Sequence, residues 1–228
     1  MTRLSICREK INCEAQFLSH DPELLFDGPS DAGLTVALAH GAGAAMDTPF
    51  MNFFAHGLAR CGYRVARFEF PYMAARRQGG RGGPPDREPV LRQTWLRVVA
   101  MLKPKHLVIG GKSMGGRIAS MVADEAGVTG LVCLGYPFHP VGKPTQTRTE
   151  HFRTLKTPTL ILQGERDPFG NREDVARYEL SQAIRIAWLP DGDHSLKPRK
   201  SSGRTEEENW TGALDTMAGF IDSLSRSQ

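Results

Sequence analysis

Three glycine-rich segments carry residues whose types and spacing could do chemistry. Gly111-Lys112-Ser113-Met114-Gly115 fits G-x-S-x-G, the pattern of a serine nucleophile on a sharp strand-to-helix turn. Such a turn strains the serine backbone and needs small flanking residues, which Gly111, Gly115 and Gly116 supply. It also sets Ser113 at a helix N-terminus, where free N–H groups favour a developing oxyanion. Read instead as Gly110-Gly111-Lys112-Ser113, the segment looks like half of a phosphate-binding loop. That loop needs a glycine where His106 stands, and the residues between are strand, so no loop is left to wrap a phosphate. Gly41-Ala42-Gly43-Ala44-Ala45-Met46 approaches the dinucleotide pattern G-x-G-x-x-G, but Met46 occupies the third glycine position.

A serine nucleophile needs a base and an acid to orient it. The segment Thr159 to Gln163 is followed by Gly164-Glu165-Arg166-Asp167-Pro168, and Ile184 to Leu189 by Pro190-Asp191-Gly192-Asp193-His194. Ser113 would attack, His194 would take its proton, and Asp167 would hold the imidazole tautomer. Glu165 is the reserve acid; Asp193 stands too close in sequence to His194 to be the first choice. The Met114 N–H supplies one oxyanion donor, and Gly41 or Ala42 the other. His40 reads as a brace of that turn, His139 and His151 as rivals for lining the site, and His20, His56 and His106 as packing or surface residues. Lys112, Arg117, His139 and Tyr72 are candidate substrate contacts.

The elements that must position these residues alternate between strand and helix. Leu34 to Ala39 is a short apolar strand before His40-Gly41-Ala42-Gly43, and Asp47 or Thr48 can cap a helix with Pro49 at its first position. Tyr63 to Phe70 reads as a strand stopped by Pro71, and Pro71 to Pro85 as a long Gly/Arg/Pro-rich loop. A helix follows with Leu91, Trp95, Val98 or Val99 and Leu102 on one face. His106 to Ile109, Leu131 to Leu134 and Thr159 to Leu162 are apolar runs of the kind buried on both faces of a parallel sheet; Ile184 to Leu189 is a half-exposed last strand. Ile118, Met121, Val122 and Ala126 recur at helical spacing up to Gly127. Asn171-Arg172-Glu173-Asp174 roughly forms a capping box, and Thr205-Glu206-Glu207-Glu208 a good one, opening a final helix with Trp210, Ala213, Leu214, Met217, Ile221 and Leu224 on its stripe. The expected fold is α/β: a mostly parallel central sheet with helices on both faces and chemistry at the carboxyl ends of the strands. Residues 1–30 read poorly, as an N-terminal edge segment, a strand pair at most.

The 228 residues are 40% hydrophobic and 24% charged, which suits a single domain with a substantial core. A net charge of +4, from 29 basic and 25 acidic residues, is too small for a nucleic-acid-binding face. Cys7, Cys13, Cys61 and Cys133 are scattered, without the spacing of a metal site or a disulfide framework. The first ten residues lack the apolar stretch of a signal peptide, and no apolar run approaches the ~20 residues of a membrane span. A cytoplasmic enzyme with no metal, no cofactor and no membrane partner is the expectation. Oligomeric state is not legible.

Together these motifs resemble the α/β-hydrolase superfamily over residues ~33 to 226. More narrowly, His40-Gly41-Ala42-Gly43, Phe68-Glu69-Phe70-Pro71-Tyr72, Gly111 to Arg117, Tyr136-Pro137-Phe138-His139-Pro140 and Gln163 to Gly170 resemble a small bacterial group of predicted hydrolases. That group is similar to dienelactone hydrolases and to the hydrolase-like domain of a chromatin-complex subunit. The resemblance implies a serine hydrolase acting on a carboxylic ester, thioester or related acyl bond. Dienelactone hydrolases use a cysteine nucleophile, where Ser113 stands here. The alternatives are a peptidase or amidase with the same three residues, and a non-catalytic hydrolase-like binding module.

Two further expectations follow from counting. Between Gly135 and Thr159 only 23 residues remain, and they must include the crossover, so no large lid domain fits. Lys197, Arg199 and Lys200 follow His194, and Lys112 and Arg117 flank the nucleophile, which suggests a basic mouth and a small acyl substrate, possibly anionic.

Overall fold

The structure, a computed structural model, describes residues 21–80, 83–103 and 105–226. Strands β1 (Leu24–Asp27), β2 (Thr35–Ala39), β3 (Arg64–Phe68), β4 (Leu107–Lys112), β5 (Gly130–Leu134), β6 (Thr159–Gly164) and β7 (Ile184–Leu189) form one sheet in the order β1-β3-β2-β4-β5-β6-β7. β1 is antiparallel to β3, and every other pairing is parallel. The register aligns Ala39 with Gly111, Lys112 with Leu134 and Gly164 with Leu189. The turns after β2, β4, β6 and β7 therefore share one edge of the sheet.

Strand alternation sorts the core into two layers. Val36, Leu38, Val108, Val132, Leu134, Leu160 and Leu162 face helix α1 (Pro49–Arg60) and the last helix, α6 (Glu206–Arg226). Ala37, Ala39, Ile109, Leu131, Cys133 and Ile161 face α3 (Glu88–Leu102) and α4 (Met114–Ala126). The expected stripes are the buried ones: Leu91, Trp95 and Val98 on α3, and Ala213, Leu214, Met217, Ile221 and Leu224 on α6. Thr48 caps α1 by accepting from the Met51 N–H at 3.4 Å, while Asp47 is taken by Arg77. The Thr205 box closes reciprocally, its N–H donating to Glu208 at 2.6 Å and its Oγ accepting from the Glu208 N–H at 3.1 Å. Asn171 caps the single turn of α5 (Arg172–Val175).

The sequence reading of the elements needs one correction. Pro71 to Pro85 is not all loop: Pro71–Arg77 is helix α2, with Tyr72 and Met73 buried. β3 ends at Phe68, and Pro71, which lacks an N–H, is well placed at the first position of a helix. Ala74, Ala75, Arg76 and Arg77 are strong helix formers that then carry it on. The N-terminal segment contributes one described edge strand, β1; the first twenty residues, with Cys7, Cys13 and His20, lie outside the described residues.

No lid domain stands between β5 and β6. That connection folds back on the core, burying Tyr136, Phe138 and Phe152, with one 3₁₀ turn at Glu150–Arg153. Among the described residues no helix is long and apolar enough to cross a membrane.

Candidate active site

Ser113 sits between β4 and α4 at φ 51° and ψ −115°, a conformation that a side chain with a Cβ rarely adopts. Close packing imposes it. A Cβ on Gly111 would lie 2.1 Å from the Ala39 carbonyl oxygen, and one on Gly115 would lie 2.5 Å from the same atom. Only glycine lets the turn pass this close to β2. The buried Trp95 indole donates to the Gly115 carbonyl at 3.2 Å, and the Ser113 N–H donates to the Leu134 carbonyl at 3.0 Å. The first helical bond runs from the Arg117 N–H to the Ser113 carbonyl, so the Met114 N–H lies ahead of it at the positive end of α4.

From Ser113 a hydrogen-bonded line runs into the protein. Ser113 Oγ and His194 Nε2 are 2.8 Å apart, as are His194 Nδ1 and Asp167 Oδ2. Asp167 is fully buried and, as a carboxylate, can only accept, so His194 carries its proton on Nδ1 and offers Nε2 to the serine hydroxyl. The Phe169 ring packs against the imidazole, centroid to centroid 4.4 Å. Asp167 also accepts from the Phe169 N–H at 2.9 Å and from Gln163 Nε2 at 2.9 Å.

Gln163 is one of two supports that the sequence reading missed. Wholly buried, it also donates to the carbonyls of Tyr136 and Gly170 and accepts from the Tyr136 N–H at 2.7 Å. The signal was a lone amide at the end of an otherwise apolar strand. Asn209 is the other. Buried on α6, it donates to the carbonyls of Pro190 and Leu196, on either side of His194. Nothing in its local sequence points to that role.

Beside Ser113, the turn after β2 is braced twice. His40 Nε2 accepts from the Phe70 N–H at 3.1 Å, which leaves the proton on Nδ1 to donate to the Gly41 carbonyl at 2.7 Å. Burial pushes the His40 pKa down, which suits a neutral brace. The Tyr72 hydroxyl donates to the Ala42 carbonyl at 2.8 Å. In a trans peptide the N–H points opposite to the carbonyl, so these bonds also fix the N–H directions of Ala42 and Gly43. Gly41 lies against Ser113: a Cβ there would be 3.6 Å from the Ser113 Cβ.

The remaining candidates sit elsewhere or do other work. Glu165 is bound by Arg172 at 2.8 Å and by the Asp191 N–H at 3.0 Å, and these hold its pKa low; it does not reach His194. Asp193 accepts from the N–H groups of Ser195 and Lys197. Each of the four candidate substrate contacts is engaged within the protein. Tyr72 is buried as the brace just described, and Arg117 is held by Glu88 on α3 at 3.2 Å. His139 is 3% exposed, between the Pro140 carbonyl and Asp174. Lys112 turns inward and donates to the His194 carbonyl. His151 pairs with Ser120 Oγ at 2.8 Å, away from Ser113, and burial drives its pKa down to about 4. Of the cations that follow His194, Arg199 is paired with Asp191 and Lys197 with Glu206.

The sequence pattern of the alpha/beta hydrolase domain matches residues 32–222. The chain belongs to that family. Similar solved structures include a serine hydrolase without a lid from Xanthomonas campestris, 19% identical with a TM-score of 0.64, covering 86% of this chain and 87% of that one. Another is a dienelactone hydrolase from Anabaena variabilis, 18% identical with a TM-score of 0.65, covering 90% of this α/β-hydrolase and 99% of that chain. At such identities the likeness is one of fold. A Rattus norvegicus protein with the provisional name protein-lysine deacylase ABHD14B is 29% identical over 139 residues, 60% of this chain and 63% of its own length. This α/β-hydrolase thus spans less than two thirds of that relative.

Proposed function

We propose that the protein is a serine hydrolase that cleaves the acyl bond of a small soluble carboxylic ester, thioester or related compound through an acyl-enzyme. The observation that carries this reading is the unbroken line from Ser113 Oγ through His194 to the buried Asp167, with Ser113 on a strained turn at the start of its helix. His194 Nε2 accepts the hydroxyl proton as Ser113 Oγ bonds to the acyl carbon. The N–H groups of Met114 and Ala42, with Gly41 against the serine, stabilise the oxyanion. The imidazolium then gives its proton to the leaving group as the acyl bond breaks. A water molecule repeats the sequence, and the acid is released.

Without a lid there is little apolar area to hold a long chain, at roughly 25 cal/mol per Å2 buried. Acyl groups of about two to six carbons should therefore turn over faster than long ones, with no rate jump when substrate micelles form. The provisional name of the rat relative favours a second reading, removal of an acyl group from a lysine side chain, which breaks an amide with the same residues. Labelling with a fluorophosphonate probe tests the chemistry. One adduct per chain, lost in Ser113→Ala, is expected; no adduct, or one that persists in Ser113→Ala, would leave a non-catalytic binding module. Rates on matched acetyl ester, thioester and acetyl-lysine peptide then choose the bond.

A further inference from the structure

Lys112, one residue before the nucleophile, ends β4 with its side chain directed away from solvent. Its ammonium donates to the main-chain carbonyl of His194, and the Phe50 ring of α1 lies 5.3 Å from the nitrogen. The space it fills is kept open by Gly135, at φ 65°, where a Cβ would stand 2.9 Å from Nζ and 2.6 Å from the His194 carbonyl oxygen. The end of β4 and the turn after it thus grip His194 twice: Ser113 Oγ meets the imidazole, and Lys112 Nζ meets the backbone of the same residue.

We propose, on the hydrolase reading above, that Lys112 is a positioning residue whose ammonium clamps the His194 backbone and whose charge opposes protonation of the imidazole, so that the base stays neutral until Ser113 attacks. The charged groups that face Lys112 are Asp167 after β6 and Asp193 after β7. Those that face the imidazole are Asp167 and Lys112 itself, with the neutral Ser113 and Phe169 completing its surroundings. Burial pushes the Lys112 pKa down to about 8, against the pull of the two carboxylates, so the group remains mostly charged at neutral pH. Asp167 meets the ring at Nδ1 and the Lys112 ammonium meets the backbone carbonyl of the same residue, so opposite charges flank His194.

The test uses the full chain, a short p-nitrophenyl ester and the fluorophosphonate probe. In Lys112→Met, kcat should fall on the order of 10- to 100-fold with KM nearly unchanged, because the loss is one of alignment. The acid limb of the kcat/KM profile should move up by about one pH unit, because the cation that opposed charging is gone. Lys112→Arg should keep the acid limb where it is. If Lys112→Met does not fold, Lys112→Gln loses the same charge while keeping a donor, and should show the same movement of the limb. A folded Lys112→Met with wild-type kcat and an unmoved limb would overturn the proposal. So would a rise in KM for anionic esters at constant kcat, which would make Lys112 a substrate contact. NMR titration of the His194 ring in wild type and Lys112→Met reads the charge effect without turnover. A wild type that neither labels nor hydrolyses removes the hydrolase reading, and the titration still passes or fails this one.

Discussion

Around Ser113, backbone packs on backbone: Gly111 and Gly115 press against β2, and the strained turn has no freedom to relax. Around His194, side chains from distant parts of the chain do the holding. Asp167 reaches the ring, Lys112 the carbonyl, Asn209 the carbonyls of Pro190 and Leu196, and the Trp210 indole the Ser195 carbonyl at 2.9 Å. Glu165 and Arg199 fasten Asp191 at the start of the loop, and Asp191 and Leu196, both at positive φ, bracket it. Ser113 is fixed by shape and His194 by polar bonds. The first arrangement should fail abruptly when volume is added, the second by degrees as bonds are removed.

The sharpest break lies where the two halves meet. Ser113→Ala and His194→Ala should each lower kcat by about 10⁴- to 10⁶-fold, to similar extents, because they act as one unit. Ester hydrolysis and probe labelling measure this. Asp167→Asn should cost less, about 10³-fold, since it spoils the tautomer and leaves both partners in place. Glu165→Gln should stay within about tenfold of wild type, because Glu165 fastens a loop and does not touch His194.

Adding volume and removing a bond separate the two kinds of support. Gly115→Ala should destabilise the fold by about 3 kcal/mol or more, because the new methyl meets main-chain oxygen. Denaturant unfolding would register this as a large drop in midpoint. Asn209→Ala should cost about 1–3 kcal/mol for its unpaired carbonyls, and should lower kcat while the Ser113 turn stays intact. A kcat equal to wild type in folded Asn209→Ala would show that α6 does not govern the base.

Acid should give the smallest effect. Arg199 beside Asp191 holds its carboxylate down at about 2, below the ordinary 3.8. Its contribution to loop order is thus fully present above pH 4 and is lost as pH falls towards 2. Amide protection factors across 190–196, which remove the intrinsic pH dependence of exchange, should fall over that window in the wild type and stay constant in Asp191→Asn.

The contrast also explains what could be read in advance. Short-range patterns showed well: the apolar runs of β4, β5 and β6, the stripes of α3 and α6, the Thr205 box and the G-x-S-x-G turn are each written within a few residues. Helix α2 was missed because Pro71 signals a strand end and a helix start alike. The pairing of the cations near Ser113 and His194 was not legible because their partners, Glu88, Asp191, Glu206 and the His194 carbonyl, are scattered along the chain.

By itself, the sequence determined the order of the parallel strands and the longer helices, the strained serine turn, and the positions of Asp167 and His194 just past strand ends. Periodicity and turn chemistry are local, and the parallel sheet turns chain order into a common edge. Only the tertiary structure decided which acid meets His194, that Gln163 and Asn209 support the site, and that Lys112 faces inward. Those outcomes depend on which buried polar group lies within about 3 Å of which partner, and that is fixed only when all the layers are packed.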